Sequence, residues 1–306
     1  MNSSTTATST FPLRRPNAFV LSLSLAAMLA MWSFNYVAGK TALRYFDGLT
    51  LATFRIELAA AILLPVFFLR RSRSALGARD VWTLSYLGWF LCANQLFFTV
   101  GLAYTTSGHS SMILGIGPIL VLLLARAMKI EALTNAKILG MAIAFTGAII
   151  LAIENGLDLR RSPTLSGDLL TLLGTISFTF YVVLGKKVSR GYDSITMNAV
   201  NTFAGAAVLL PLAIGRGIHL NWSSIAWQGW LGLIYMAAIS SVAAYTLFYW
   251  VLRHMEASRV AAVNYFQPVG AILVAALFLG EIPTRHLFLG GALILLGVYM
   301  AERAKA

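Results

Sequence analysis

The sequence predicts an all-α membrane protein of ten transmembrane helices, built as two inverted five-helix repeats. Three observations predict this: an apolar composition, ten apolar runs near membrane-spanning length, and an internal repeat with a period near 150 residues. Hydrophobic residues fill 58% of the 306 positions and charged residues 11%. Soluble domains carry roughly 45–50% and about 25%, so the excess apolar surface calls for lipid.

Crossing the hydrocarbon core takes roughly 20 apolar residues in a helix. Runs over 18–39, 50–69, 81–101, 108–125 and 136–153 form the first group. A polar stretch over 154–166 follows, and then runs over 167–185, 195–214, 229–251, 260–280 and 286–300. The expected organisation is therefore a flexible cytoplasmic tail over 1–17, a first five-helix repeat over 18–153, a connecting loop over 154–166, a second repeat over 167–302 and a cytoplasmic end over 303–306. The run after Arg15 is too long for the short apolar region of a signal peptide, so it reads as an uncleaved first span. The pair Arg14 and Arg15 reads as an orientation anchor. Cys92 is the single cysteine, which excludes an intrachain disulfide.

The formal net charge is +12. Nucleic-acid binding would need those cations gathered on one soluble face, but they lie between the apolar runs. With the amino terminus inside, cytoplasmic segments hold sixteen Lys and Arg residues and outer segments six, with Arg55 inside a span. Cations favour the cytoplasmic side, so both termini are expected in the cytoplasm of a cell whose inner membrane holds this multi-pass chain.

The repeat is visible residue by residue. A shift of 150 sets Pro118 on Pro268, Glu131 on Glu281, Thr134 on Thr284, Gly140 on Gly290 and Gly147 on Gly297. A shift of 146 sets the segment 34–40 on 180–186, pairing Gly39-Lys40 with Gly185-Lys186. Each half holds five spans, and an odd number forces the second half to enter the membrane from the opposite face. Inverted repeats recur in secondary transporters, with the site near the bilayer midplane between them.

Paired interruptions in matching spans point to that site. Pro118 and Pro268 lie in the fourth and ninth runs and are candidate hinges; a static kink satisfied by neighbouring helices is the alternative. The candidate substrate-binding residues are polar or aromatic groups at mid-depth: Trp32, Asn35, Asn94, Gln95, Tyr181, Tyr245, Asn264, Tyr265 and Gln267, with Ser110, Asn201 and Ser241 beside them. Amides and hydroxyls suit a zwitterion's charged groups, and aromatic faces suit its side chain; each could equally tie two helices together. Ionisable residues inside spans are costly and face the protein interior. Glu57 is thus a candidate for proton coupling, or for a structural hydrogen bond. Arg55, near the outer end of its run, reads as a snorkelling or structurally paired cation. Glu131 and Glu281 read as structural, Thr134 and Thr284 as helix N-caps, and the seven-residue glycine spacings in the fifth and tenth runs as packing faces. Trp82, Trp222, Trp227 and Trp230 read as interface anchors.

No nucleophile elbow and no His-Glu-x-x-His occurs, and the four histidines are scattered, so neither an enzyme nor a metal site is expected. The string Gly115-Ile116-Gly117-Pro118 lies in an apolar run and lacks the lysine of a nucleotide loop, so no cofactor is expected either.

The segment 252–281, with Asn264-Tyr265-Phe266-Gln267-Pro268 and Gly280-Glu281 before a Gly-rich final run, resembles the EamA-type transporters of the drug/metabolite transporter superfamily. Its counterpart over 102–131, Trp32 with Asn35 and Gly39-Lys40, and Arg55 in the second run extend the likeness over nearly the whole chain after the tail. Lys129-Ile130-Glu131 departs from the Gly-Glu pattern. The resemblance implies ten helices, a central cavity formed by spans one to four and six to nine, and movement of small metabolites, commonly amino acids exported from bacteria. Uptake of a vitamin or other metabolite, and a non-transporting receptor or scaffold, are the alternatives. The partners expected are a small-molecule substrate, the lipid bilayer and protons as a candidate coupling ion, for a monomer or homodimer.

Overall fold

The computed structural model describes residues 16–69, 76–128, 134–152, 163–189, 191–255, 260 and 267–303. Among these every regular element is helical: α1 (Ala18–Ala42), α2 (Gly48–Leu69), α3 (Ala78–Tyr104), α4 (Ser107–Leu114), α5 (Gly117–Ala127), α6 (Asn135–Ala152), α7 (Pro163–Val188), α8 (Ser194–Ile218), α9 (Trp227–His254), α10 (Gln267–Leu279) and α11 (Arg285–Arg303). Among the described residues seven stretches are long and apolar enough to cross a membrane: α1, α2, α3, α4 with α5, α7, α8 and α9. Shorter apolar helices run over Ile138–Gly147, Val269–Leu279 and Arg285–Gly297. Helix α7 begins at Pro163, four residues before the expected run; proline suits a first helical position because the N–H it lacks would have no partner there.

Local chemistry starts α2 and α8 in the same way. Asp47 accepts from the backbone N–H of Leu49 and Thr50, both at 3.1 Å, and from the Thr50 hydroxyl at 2.5 Å. Asp193 accepts from the N–H of Ile195 at 3.1 Å, that of Thr196 at 3.0 Å, and the Thr196 hydroxyl at 2.5 Å. These caps satisfy N–H groups that the first turn leaves without partners. Each helix also carries one internal proline, Pro65 and Pro211. Thr284 caps α11 as expected, accepting from Leu287 N–H at 3.1 Å.

The expected interruption at Pro118 takes the form of a helix break. Helix α4 ends at Leu114, a turn passes through Gly115 and Ile116, and Pro118 is the second residue of α5. At that position its missing N–H costs no intrahelical bond. Pro268 lies in α10, next to residues 261–266, which are outside the described residues.

Helix α3 packs on α7 and α8, and α9 packs on α1 and α2. Helix α1 lies against α10, while α4 and α5 lie against α7; α2 meets α8, and α6 meets α11. Exchanging the first five apolar runs for the last five maps this set of neighbours onto itself. At the α6–α11 crossing a Cβ on Gly147 would collide with the carbonyl oxygen of Gly290, and one on Gly297 with that of Gly140. The expected glycine faces therefore meet each other, which lets the two backbones touch. The outward faces are apolar: Leu277, Phe288 and Ile282 are 80%, 66% and 86% exposed, a surface suited to lipid rather than water.

Candidate functional site

A cavity lies between the helices. Its walls are Trp32 and Asn35 from α1, Arg55 from α2, Asn94, Gln95 and Phe98 from α3, and Leu114, Gly117, Pro118 and Val121 from α4, α5 and the turn joining them. Thr175, Phe178 and Val182 from α7, Tyr245 from α9 and Gln267 from α10 complete them. The break before Pro118 brings Leu114 and Gly117 to this wall.

The polar wall is knitted by side chains. Arg55, 2% exposed, donates through Nε to Ser241 Oγ at 3.0 Å, and its Nη1 lies 3.5 Å from Thr99 Oγ1. The Ser241 hydroxyl faces Met236 O at 3.0 Å and Gln95 Oε1 at 3.2 Å. Tyr245 donates to Asn94 Oδ1 at 3.1 Å, and Asn94 Nδ2 donates to Gly174 O at 3.0 Å. Ser241 is placed by a π-helical stretch, Tyr235–Ala244, in the middle of α9. Such wider winding is frequent at functional sites; here Asn198 Nδ2 donates to Ser241 O at 3.1 Å and Val242 O at 3.0 Å.

Polar contacts link helices near both ends of the bundle. Where α1 and α3 finish, Lys40 Nζ donates to Thr105 O. The Thr105 hydroxyl donates to Asp168 Oδ1 at 2.5 Å, and His109 Nδ1 lies 3.1 Å from Asp168 Oδ2. The Glu281 carboxylate accepts from Ser107 N–H and Ser107 Oγ, both at 3.0 Å, beside the positive end of α4. Helix α7 starts at this end and carries Lys186 roughly 27 Å away, at 1.5 Å per residue. There Lys186 Nζ donates to Leu252 O at 2.6 Å and Met255 O at 2.5 Å. The shift of 146 relates the two lysines, and the shift of 150 relates Thr105 to Met255.

The sequence pattern of the EamA-like transporter family matches residues 19–153 and again 165–302. The chain belongs to the EamA-like transporter family. An Archaeoglobus fulgidus protein named "Uncharacterized transporter" is 27% identical over 285 residues, covering 91% of this chain and 96% of its own. A Streptantibioticus cattleyicolor protein named "Probable terminal-alkyne amino-acid exporter" is 24% identical, covering 92% of each chain. A solved crystal structure aligns over 93% of this chain and 97% of its own with a TM-score of 0.67 at 16% identity, a likeness of fold. With its membrane-length helices, this EamA-like chain is a multi-pass membrane transporter.

Of the expected site residues in this EamA-like protein, Trp32, Asn35, Asn94, Gln95, Tyr245, Gln267 and Pro118 line the cavity. Tyr181 stands behind the wall: fully buried, its ring stacks on Phe248 at 6.1 Å and lies 6.1 Å from Tyr245. Asn264 and Tyr265 lie outside the described residues. Ser110 is buried with its hydroxyl 3.4 Å from that of Thr171, and Asn201 donates to the Tyr249 hydroxyl. Glu57 lines a separate groove between α2 and α8, with Phe54, Leu210 and Trp222.

Of the two expectations for Arg55, the structure shows structural pairing: it lies in the cavity wall, bonded to Ser241, and does not snorkel toward a membrane surface. The signal was a cation within an apolar run, which has to face the protein interior. Phe98, Thr175, Phe178 and Val182 were not singled out, since apolar residues and a threonine within a span carry no mark of a cavity.

Proposed function

We propose that this chain is a secondary transporter that exports a small metabolite, an amino acid or related compound, across the cytoplasmic membrane by alternating access. The carrying observation is the polar cavity shared by both halves and tied at each end by related lysine–carbonyl contacts. The ten-span, inverted-repeat architecture is supported by the exchangeable helix neighbours, the matching caps at Asp47 and Asp193, and the crossing of the two glycine faces. In such an architecture two mirrored arrangements of nearly equal energy exist, so the halves can rock and expose a central site to either face in turn.

Opening the end near Lys40 would separate Ser107 from Glu281 and Lys40 from Thr105. Opening the other end would release Lys186 from Leu252 and Met255. Amides and hydroxyls hold the solute between them, with Trp32 and Phe178 offering apolar faces. Pro118, at the helix break before α5, and its repeat counterpart Pro268 serve as hinge points, and Glu57 is the candidate coupling carboxylate. Both termini lie in the cytoplasm. The amino-acid reading is favoured by the name of the Streptantibioticus cattleyicolor relative.

Purified protein in liposomes, tested for counterflow of labelled amino acids, cationic amines and small carboxylates, tests the reading. Movement of at least one class, abolished by heat denaturation of the protein, is the expected result. A folded protein that moves none of them overturns it.

A further inference from the structure

We propose that the Arg55 guanidinium is the binding point for a carboxylate on the transported solute. The inference rests on the transporter reading and narrows its substrate class. Arg55 is almost wholly buried yet lines the central cavity. A guanidinium stays protonated in proteins and carries five N–H donors in a planar fork that matches a carboxylate. The two contacts it makes, to Ser241 Oγ and Thr99 Oγ1, are to neutral hydroxyls. A buried cation without a negative partner is costly, so its retention inside the wall calls for an anion that arrives.

The protein's own acids do not supply that anion among the described residues. Asp47 and Asp193 cap α2 and α8. Asp80 accepts from Tyr192, Asp168 from Thr105, and Glu281 from Ser107. Glu57, two residues along the same helix, lies in the groove between α2 and α8. The stretch 261–266, which leads directly to the wall residue Gln267, reads Ala-Ala-Val-Asn-Tyr-Phe and contains no acid.

The repeat sharpens the point. The shift of 146 relates Arg55 to Asn201 and Asn35 to Tyr181; the shift of 150 relates Thr99 to Tyr249 and Gln95 to Tyr245. On the second half Asn201 donates to the Tyr249 hydroxyl, and the fully buried rings of Tyr181 and Tyr249 pack 5.6 Å apart. On the first half the positions of those two rings are held by Asn35 and Thr99, and a cation faces the resulting room. Asn35 Oδ1 is buried with no hydrogen-bond partner among the described residues, so the same cavity offers an acceptor for an ammonium group.

The test uses the full chain in liposomes. For each labelled solute moved, the unlabelled acid, its carboxamide and its decarboxylated amine are compared as competitors on wild-type protein. The acid is expected to compete, and the carboxamide and amine to be weaker on the order of tenfold or more, as loss of one partner of a buried charge pair implies. Arg55→Lys should keep part of this preference and Arg55→Gln should lose it. The wild-type comparison needs no variant, so it decides the matter even where Arg55→Gln fails to fold. Equal competition by acid and carboxamide, competition by chloride as strong as by the acid, or movement confined to solutes lacking a carboxylate overturns the Arg55 assignment while leaving transport intact. A protein that moves no solute removes the transporter reading, and this inference with it.

Discussion

Tyr245 Oη bonded to Asn94 Oδ1 is the contact where a single atom reports on the site. Tyr245→Phe removes one hydroxyl from the cavity wall and leaves the Asn94 acceptor unpaired, a change worth about 1 kcal/mol or about fivefold. Apparent affinity of the transported solute should shift by that order, with protein abundance unchanged; unaltered flux kinetics would take Tyr245 out of the site. Asp47 gives a pH prediction. Its partial burial works against ionisation, but the Thr50 hydroxyl and N–H, Arg216 and the Leu49 N–H outweigh this and hold the carboxyl below its usual range. A group depressed on folding stabilises above its unfolded pKa, near 3.9, and that contribution is lost as pH falls through the lower folded value. Asp47→Ala should therefore cost about 1 kcal/mol near neutral pH, read as thermal unfolding in detergent, with the gap to wild type narrowing below about pH 4. A gap that does not change with pH would exclude the charged cap. At this scale the sequence named most of the cavity's polar residues, because amides and tyrosines inside apolar runs are conspicuous. For Arg55 it left snorkelling and structural pairing open, because residue type does not reveal which helix surface faces inward.

Helices α6 and α11 meet backbone to backbone, so side-chain volume at their crossing is the sensitive variable. Gly147→Leu or Gly297→Leu would drive a side chain into the opposite carbonyl, and overpacking costs roughly 1–3 kcal/mol or more. Gly185→Leu is the control, since no atom lies within 4 Å of a Cβ there. Size-exclusion recovery should fall for the first two and hold for the third; equal recovery would show that the crossing tolerates volume. The seven-residue glycine spacing made this packing legible in advance. The π-helical stretch Tyr235–Ala244 was not legible, because its Ala, Ser and Val residues suit an ordinary helix and only tertiary bonds, such as those from Asn198, favour the wider winding. The interruption at Pro118 was legible in advance; that it takes the form of a Gly-containing turn before α5 was not.

For the whole molecule, the internal repeat was the strongest signal in the sequence, and it runs further than the first matches suggested. The shift of 146 also relates Asp47 to Asp193, Thr50 to Thr196 and Pro65 to Pro211, pairs that become recognisable once the caps and helix positions are known. The less symmetric part, a cation at Arg55 where the other half has Asn201 beside the buried rings of Tyr181 and Tyr249, depends on three-dimensional packing and could not be read from spacing. The architecture proposed for the chain has two five-span halves of opposite orientation, with both ends on one face. Cysteine-accessibility mapping in a Cys92→Ser background addresses this most directly, with single cysteines placed at Ser4, Arg161 and Lys305 and an impermeant thiol reagent added to intact cells. The account predicts labelling at position 161 alone, with positions 4 and 305 reacting only after the cells are opened. Labelling of just one terminus in intact cells would contradict the mirrored halves.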